Sequence, residues 1–181
     1  MQKVTIHKGF HRPLTLIPAG LHYISRINRT KKQAIIVNVV FTDSCRYYLN
    51  NADQQDWNKL IGICFGIRGI HEDSARFAWR YNPGTDRIEI ATYYYIKGQR
   101  EWEKVATVQI GETVKFEIER EGNQVWFYMN DEFMDYNNSF DISKCRFTFG
   151  CGLYFGGNKK APQNITLKIE KVKTRSHGKK Q

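Results

Sequence analysis

Hydrophobic and polar residues alternate with a period of two along most of this chain, a pattern typical of β-strands that bury one face. Residues 114–119 show it clearly, because apolar residues there are separated by charged ones. Turn-forming residues, such as those at 82–84 and 156–158, separate the alternating runs. Only residues 51–58 favour a short helical turn. Many short strands at this spacing predict an all-β sandwich or barrel. The predicted strands are 3–8, 21–27, 34–42, 45–49, 59–67, 74–81, 88–96, 104–109, 113–120, 124–130, 146–155 and 164–172.

The hairpin at residues 74–95 carries the most informative pattern. Two alternating strands flank a Pro-Gly turn, and pairing Tyr81 with Ile88 places their apolar residues on one face. A slip of one residue would mix the two faces, so this register is favoured. The cross-strand pairs predicted for the polar face are Arg76 with Tyr93, Ala78 with Ala91, and Arg80 with Glu89. The polar face therefore has small residues at its centre and long side chains at both ends, which would suit an extended ligand lying across the sheet.

Length and composition fit one globular domain. A chain of 181 residues is long enough to bury a core, and we predict a single domain at residues 1–172. No apolar run approaches the roughly 18 residues of a membrane span, so no membrane partner is expected. The first residues lack the apolar segment of a signal peptide, which favours a cytoplasmic or virion protein. The four cysteines have neither CxxC nor zinc-site spacing, and we predict reduced, buried thiols.

Charge is distributed unevenly. The net charge of +10 divides into +7 for residues 1–50, −6 for residues 51–142 and +9 for residues 143–181. The ends of a compact domain often lie close together, so the two basic ends could form one patch. Residues 173–181 are predicted to be a basic C-terminal tail that either keeps the protein soluble or contacts an acidic or phosphate-bearing partner.

A family resemblance enters with residues 111–131, an alternating strand, a Gly-Asn turn and a second strand. This segment resembles the late hairpin of concanavalin A-like lectin and glucanase sandwiches, including laminin-G-like domains. Residues 152–158 and 164–169 resemble the last strands of such jelly rolls. Residues 56–60, 74–81 and 154–158 are also similar to small jelly-roll proteins of unknown function from gut bacteria and their phages. The resemblance implies an antiparallel two-sheet β-sandwich of the jelly-roll, concanavalin A-like type.

Catalytic chemistry finds weaker support. Residues 154–158 faintly resemble alginate-lyase-like enzymes, and Arg76, Arg80, His71 and Tyr93 could take acid, base and carboxylate-neutralising roles. The Gln-x-His motif and the second Tyr of those lyases are absent, however. The paired carboxylate motif of sandwich glucanases is also missing. The His-Glu-Asp run at residues 71–73 is a poor calcium loop, so we expect neither a metal nor another cofactor.

These observations favour a non-catalytic β-sandwich module that binds a glycan through an Arg- and Tyr-rich sheet face. Its predicted ligand-binding residues are Arg76, Arg80, Glu89, Tyr93, Tyr95 and Trp102. Two alternatives remain open, a phage virion structural protein such as a capsid decoration or attachment subunit, and a polysaccharide lyase. The expected partner is a glycan or a protein in an assembly, and an oligomer is possible.

Overall fold

Two six-stranded antiparallel sheets pack face to face in the computed structural model of this protein. The structure describes residues 1–14, 32–66, 70–141, 145 and 147–172, together with the backbone of residues 24–26. Sheet I has the strand order β1-β12-β3-β8-β9-β10, and sheet II has the order β2-β11-β4-β5-β6-β7. The strands are β1 Gln2–Ile6, β2 Ile24–Arg26, β3 Gln33–Phe41, β4 Asn58–Phe65, β5 Ser74–Asn82, β6 Arg87–Ile96, β7 Gln99–Val108, β8 Thr113–Glu121, β9 Gln124–Met129, β10 Glu132–Asn137, β11 Phe147–Cys151 and β12 Ile165–Lys171.

The core lies between the two sheets and is rich in aromatic rings. Trp79 and Phe77 of sheet II are fully buried and pack on Phe41, Phe116 and Phe127 of sheet I. Edge-to-face contacts of this kind add to the stabilisation that comes from burying apolar area. The prediction of an all-β, antiparallel two-sheet sandwich is confirmed.

The register predicted for the β5–β6 hairpin is confirmed. Tyr81 pairs with Ile88, and the predicted pairs of the polar face are all present. Because side chains alternate along a strand, this register directs Phe77 and Trp79 into the core. The same register directs Arg76 and Arg80 to the outer face of sheet II.

Two predictions about local structure were wrong. Residues 45–49 form no strand, because the chain turns at the 3-10 segment Asp43–Cys45, where the Cys45 amide donates to the Thr42 carbonyl. Strand β10 was not predicted. Asn130 and Asp131 both have positive φ, and they form the tight hairpin turn that joins β9 to β10. The short helical turn expected within residues 51–58 is present as the 3-10 segment Ala52–Gln55.

Other expectations are met in part. The strand predicted at 146–155 ends at Cys151, and Tyr154 forms only an isolated bridge with Lys59. The strand predicted at 21–27 is described only at β2, and residues 173–181 lie outside the described residues. Cys45, Cys64 and Cys151 are buried thiols, as predicted, whereas Cys145 is only partly buried. No helix in the described part of the chain is long and apolar enough to cross a membrane.

Candidate functional site

The outer face of sheet II gathers most of the polar residues singled out in the sequence. Register places them in adjacent cross-strand rows over β4 to β7, with Tyr93 beside both Arg76 and Trp102. We call this surface the cationic face. It comprises Trp57, Lys59, Arg76, Arg80, Glu89, Tyr93, Tyr95, Arg100, Trp102 and Lys104, with His71, Arg12 and Tyr154 at its margin.

Trp57 occupies the centre of the cationic face. The sequence predicts a shallow floor at Ala78 and Ala91, but Trp57 packs with these alanines and with Tyr93 in one buried cluster. Its ring lies 5.4 Å from that of Trp102, between ring centroids. The open groove expected at this point is therefore absent from the described structure, because an indole from the segment before β4 fills it.

One end of the cationic face is a neutralised ion cluster. Glu89 accepts hydrogen bonds from Arg80 Nε at 2.7 Å, Lys104 Nζ at 2.7 Å and Asn82 Nδ2 at 3.1 Å. Burial raises the pKa of Glu89, but these three donors outweigh it and lower the pKa to about 2. Arg80 also donates to the Gln55 carbonyl and lies over the Trp57 ring at 4.3 Å. Arg80 and Glu89 thus have partners within the protein, and Arg80 packs on Trp57.

The other end of the cationic face contains Arg76, of which 2% is exposed. Its guanidinium donates to the Ile70 carbonyl at 2.6 Å and to the Ser74 hydroxyl. A side chain at Gly62 would collide with Arg76, so the glycine of β4 makes room for it. Among the described residues, which include all 18 Asp and Glu of the chain, no carboxylate forms an ion pair with Arg76.

Lys59 is a second buried cation on the cationic face, with 8% of the residue exposed. Its Nζ donates to the Trp57 carbonyl at 2.5 Å and lies 4.1 Å from the centroid of the Tyr93 ring. No carboxylate in the described residues lies within ion-pair distance of this amine. Burial, then the positive charges of Arg76 and Arg100, lower the pKa of Lys59 to about 7.

Aromatic and basic side chains form the margin next to Arg76. His71 meets the Tyr95 ring edge-to-face at 5.0 Å, and partial burial together with Arg76 lowers the pKa of His71. The Tyr154 ring stacks on the His11 ring, with the centroids 5.0 Å apart. The guanidinium of Arg12 also lies over the Tyr154 ring, 5.5 Å from its centroid. The glycines after Tyr154 allow this segment to approach closely, because a side chain at Gly156 would collide with the Trp57 backbone.

The predicted site residues therefore separate into two groups. Arg76, Tyr93, Tyr95 and Trp102 lie together on the part of the cationic face that has unpaired cations, whereas Arg80 and Glu89 belong to the ion cluster. Trp102 is 48% exposed on the edge strand β7. Burial, followed by the neighbouring Tyr95 hydroxyl, raises the pKa of Tyr93, so this phenol stays protonated at neutral pH.

The sequence reasoning missed Lys59, Trp57 and Arg100. A signal for Lys59 was available, since it is the one charged residue of strand β4, in which the six residues after it carry no polar side chain apart from the Cys64 thiol. Such a lysine needs a specific reason to be buried. Among the described residues, no group of three or more His, Cys, Asp or Glu side chains is arranged to hold a metal ion.

Comparisons with known proteins identify the fold. No family model and no curated protein sequence matches the chain significantly. The family 7 alginate lyase A1-II' superposes with a TM-score of 0.55 and 8% identity, covering 83% of this chain and 66% of that chain. Alginate lyase AlyC3 superposes with a TM-score of 0.55 and 11% identity, covering 94% of this chain and 69% of that chain. A functionally unknown protein from Saccharomyces cerevisiae superposes with a TM-score of 0.51 and 11% identity, covering 95% of this chain and 89% of that chain. The chain spans about two thirds of the length of the lyases, and the likeness shows a jelly-roll β-sandwich of the concanavalin A-like type.

Proposed function

We propose that this protein binds an acidic glycan on the cationic face. Arg76 and Lys59 would engage its carboxylate or sulfate groups. Tyr95 and Trp102 would pack against its sugar rings. Lectin-like sites commonly combine a few well-placed polar groups with aromatic surface in this way.

The observation that carries the proposal is that two buried cations have no ion-pair partner among the described residues. Burying a charge without a partner costs several kcal/mol, and proteins normally compensate that cost with a carboxylate. All 18 Asp and Glu of the chain are described, and none pairs with Lys59 or Arg76. By contrast, Arg80 on the same surface does have its carboxylate. An anion that binds from outside would supply the partner that Lys59 and Arg76 lack.

The structural neighbours are consistent with this ligand class. Solved structures of the A1-II' and AlyC3 alginate lyases include complexes with a substrate oligosaccharide and with dimannuronate. Identity of 8–9% between those chains and this one is too low to transfer a function. The proposal therefore rests on the charges and contacts of the cationic face itself.

The proposal can be tested by glycan-array screening followed by calorimetric titration of an alginate oligosaccharide. We expect acidic glycans to dominate the array, and Arg76→Gln to weaken binding by about tenfold, as the loss of a charge-assisted hydrogen bond does. Lys168→Gln, on the outer face of sheet I, removes the same charge elsewhere and should change affinity less than twofold. Arg76→Lys keeps the charge but loses the planar fork, so its affinity should fall between the two. Failure of every acidic glycan to bind would contradict the proposal.

Polysaccharide cleavage is a second candidate, favoured by one observation. Tyr154, from the segment that resembles the lyases, bridges to Lys59, beside Arg76 and Tyr93. A lyase would remove a sugar proton with a base and protonate the leaving oxygen, with a cation neutralising the uronate carboxylate. Incubation with acidic polysaccharides while the absorbance of unsaturated uronates is monitored tests this role. If the protein binds the polysaccharide but the absorbance does not rise, cleavage is contradicted and the binding role stands. The virion role, which the sequence leaves open as an alternative, stays a prediction.

A further inference from the structure

We infer that Lys59 makes glycan binding on the cationic face dependent on pH, because its amine must take up a proton when an anionic group arrives. The inference rests on the proposed function and assigns different roles to the two buried cations. Arg76 would be the permanent charge, since a guanidinium stays protonated throughout the physiological range. Lys59 would be the charge that is gained or lost as the amine binds or releases a proton.

The surroundings of the Lys59 amine make its protonated form less stable than that of an exposed lysine, so the free protein contains both forms near neutral pH. The amine is enclosed by the Trp57 carbonyl and the Tyr93 ring, and 8% of the residue reaches solvent. Burial and neighbouring positive charge therefore lower the pKa of Lys59 to about 7. The neighbouring carboxylate of Asp56 raises the pKa of Lys59 by less than burial and the positive charges lower it. The charged and titratable groups around the amine are Asp56, His71, Arg76, Tyr93 and Arg100, and Arg12 acts on the neighbouring His71.

An anion would change this balance. A carboxylate beside Lys59 would favour the ammonium form, so binding would raise the pKa of Lys59 and take up a proton. Because the protonated fraction of the free protein falls as the pH rises through about 7, affinity should be higher below that pH than above it. Partial burial and Arg76 lower the pKa of His71, so this imidazole changes its charge at a lower pH than Lys59 does.

The experiment is a calorimetric titration of the intact protein with an alginate oligosaccharide at about pH 6.5 and about pH 8.5, at constant ionic strength. We expect the wild type to lose about tenfold in affinity between these conditions. Lys59→Arg should lose less than threefold, because its charge persists. Lys59→Met should bind the oligosaccharide weakly, and with equal affinity at the two pH values. Lys168→Arg on sheet I and His71→Gln should both keep the wild-type dependence on pH.

A second readout separates the failure of this inference from the failure of the proposed function. NMR of ¹³Cε-labelled lysines, assigned with Lys59→Arg, follows the Lys59 titration with and without the oligosaccharide. We expect a titration near neutral pH that moves upward on binding. A Lys59 that titrates above about pH 9 while the glycan still binds would overturn the inference alone. Equal loss of affinity in wild type and Lys59→Arg would also overturn it, and no binding at either pH would overturn both proposals.

Discussion

The hairpins β5–β6 and β8–β9 share one sequence pattern, but they treat their polar faces differently. In β8, Val114, Phe116 and Ile118 are buried and the residues between them remain partly accessible. In β5, nearly every residue is buried, including Arg76 on the outer face. The difference does not come from strand position, because both hairpins lie inside their sheets.

The cause is the layer that covers each polar face. Trp57 and Lys59 cover the outer face of the β5–β6 hairpin, and they bury charges that the strand itself would leave in water. The outer face of β8 has no such cover in the described residues, and Glu117 and Glu119 contact Lys115 and Lys32 at the surface. Partly exposed ion pairs of this kind contribute less to stability than buried ones, which are sensitive to the loss of either partner. An alternating strand thus defines which residues share a face, but not whether that face is solvated.

The largest expected effect comes from removing the cover. Trp57→Ala should lower the free energy of unfolding by about 4 kcal/mol, because it empties a buried site between Ala78, Ala91 and Tyr93. Trp126→Ala is the matched change on sheet I, where Trp126 is partly accessible and packs against Tyr136, and should cost about 1 kcal/mol. Urea unfolding of both variants measures this contrast. Equal losses would mean that Trp57 is no more important than a surface aromatic residue.

The next effect concerns the carboxylates of the two hairpins. Glu89→Gln should destabilise the protein by about 3 kcal/mol, because it leaves Arg80 and Lys104 without their counter-charge. Glu117→Gln should change stability by less than about 0.5 kcal/mol, since its contact with Lys115 spans 3.9 Å and the neighbouring Glu119 carboxylate repels it. Chemical denaturation of both proteins at neutral pH decides the comparison. A Glu89 variant as stable as the Glu117 variant would contradict the structural role of the ion cluster.

A smaller effect should appear in the dependence of stability on pH. An unfolded lysine keeps its proton to about pH 10.4. The pKa of Lys59 in the folded protein is lowered to about 7. Between these values the unfolded chain binds more protons, so the free energy of unfolding should rise with pH. Relative to Lys59→Met, we expect the wild type to gain about 3 kcal/mol between about pH 7 and about pH 9.5. Parallel pH profiles for the two proteins would show that Lys59 is charged in the fold.

The sequence predicted the fold and the register of β5–β6, because alternation restricts which residues can pair without mixing the two faces. It could not predict that Trp57 covers the alanine floor. Trp57 precedes β4, and the pairing of β4 with β5 shifts between Lys59 and Gly62. An irregular pairing of this kind has no period in the sequence. Arg80 and Glu89 were correctly paired but given a ligand-binding role, because a cross-strand ion pair and a binding pair have the same sequence pattern.

The central claim is that Lys59 and Arg76 are held on the cationic face for an anion from outside. Its most direct test compares an alginate oligosaccharide with its carboxyl-reduced, neutral form by calorimetric titration at about pH 6.5. We predict that the acidic form binds at least about tenfold more tightly, as expected from charge-assisted hydrogen bonds to buried cations. Equal affinity for the two forms would contradict the claim.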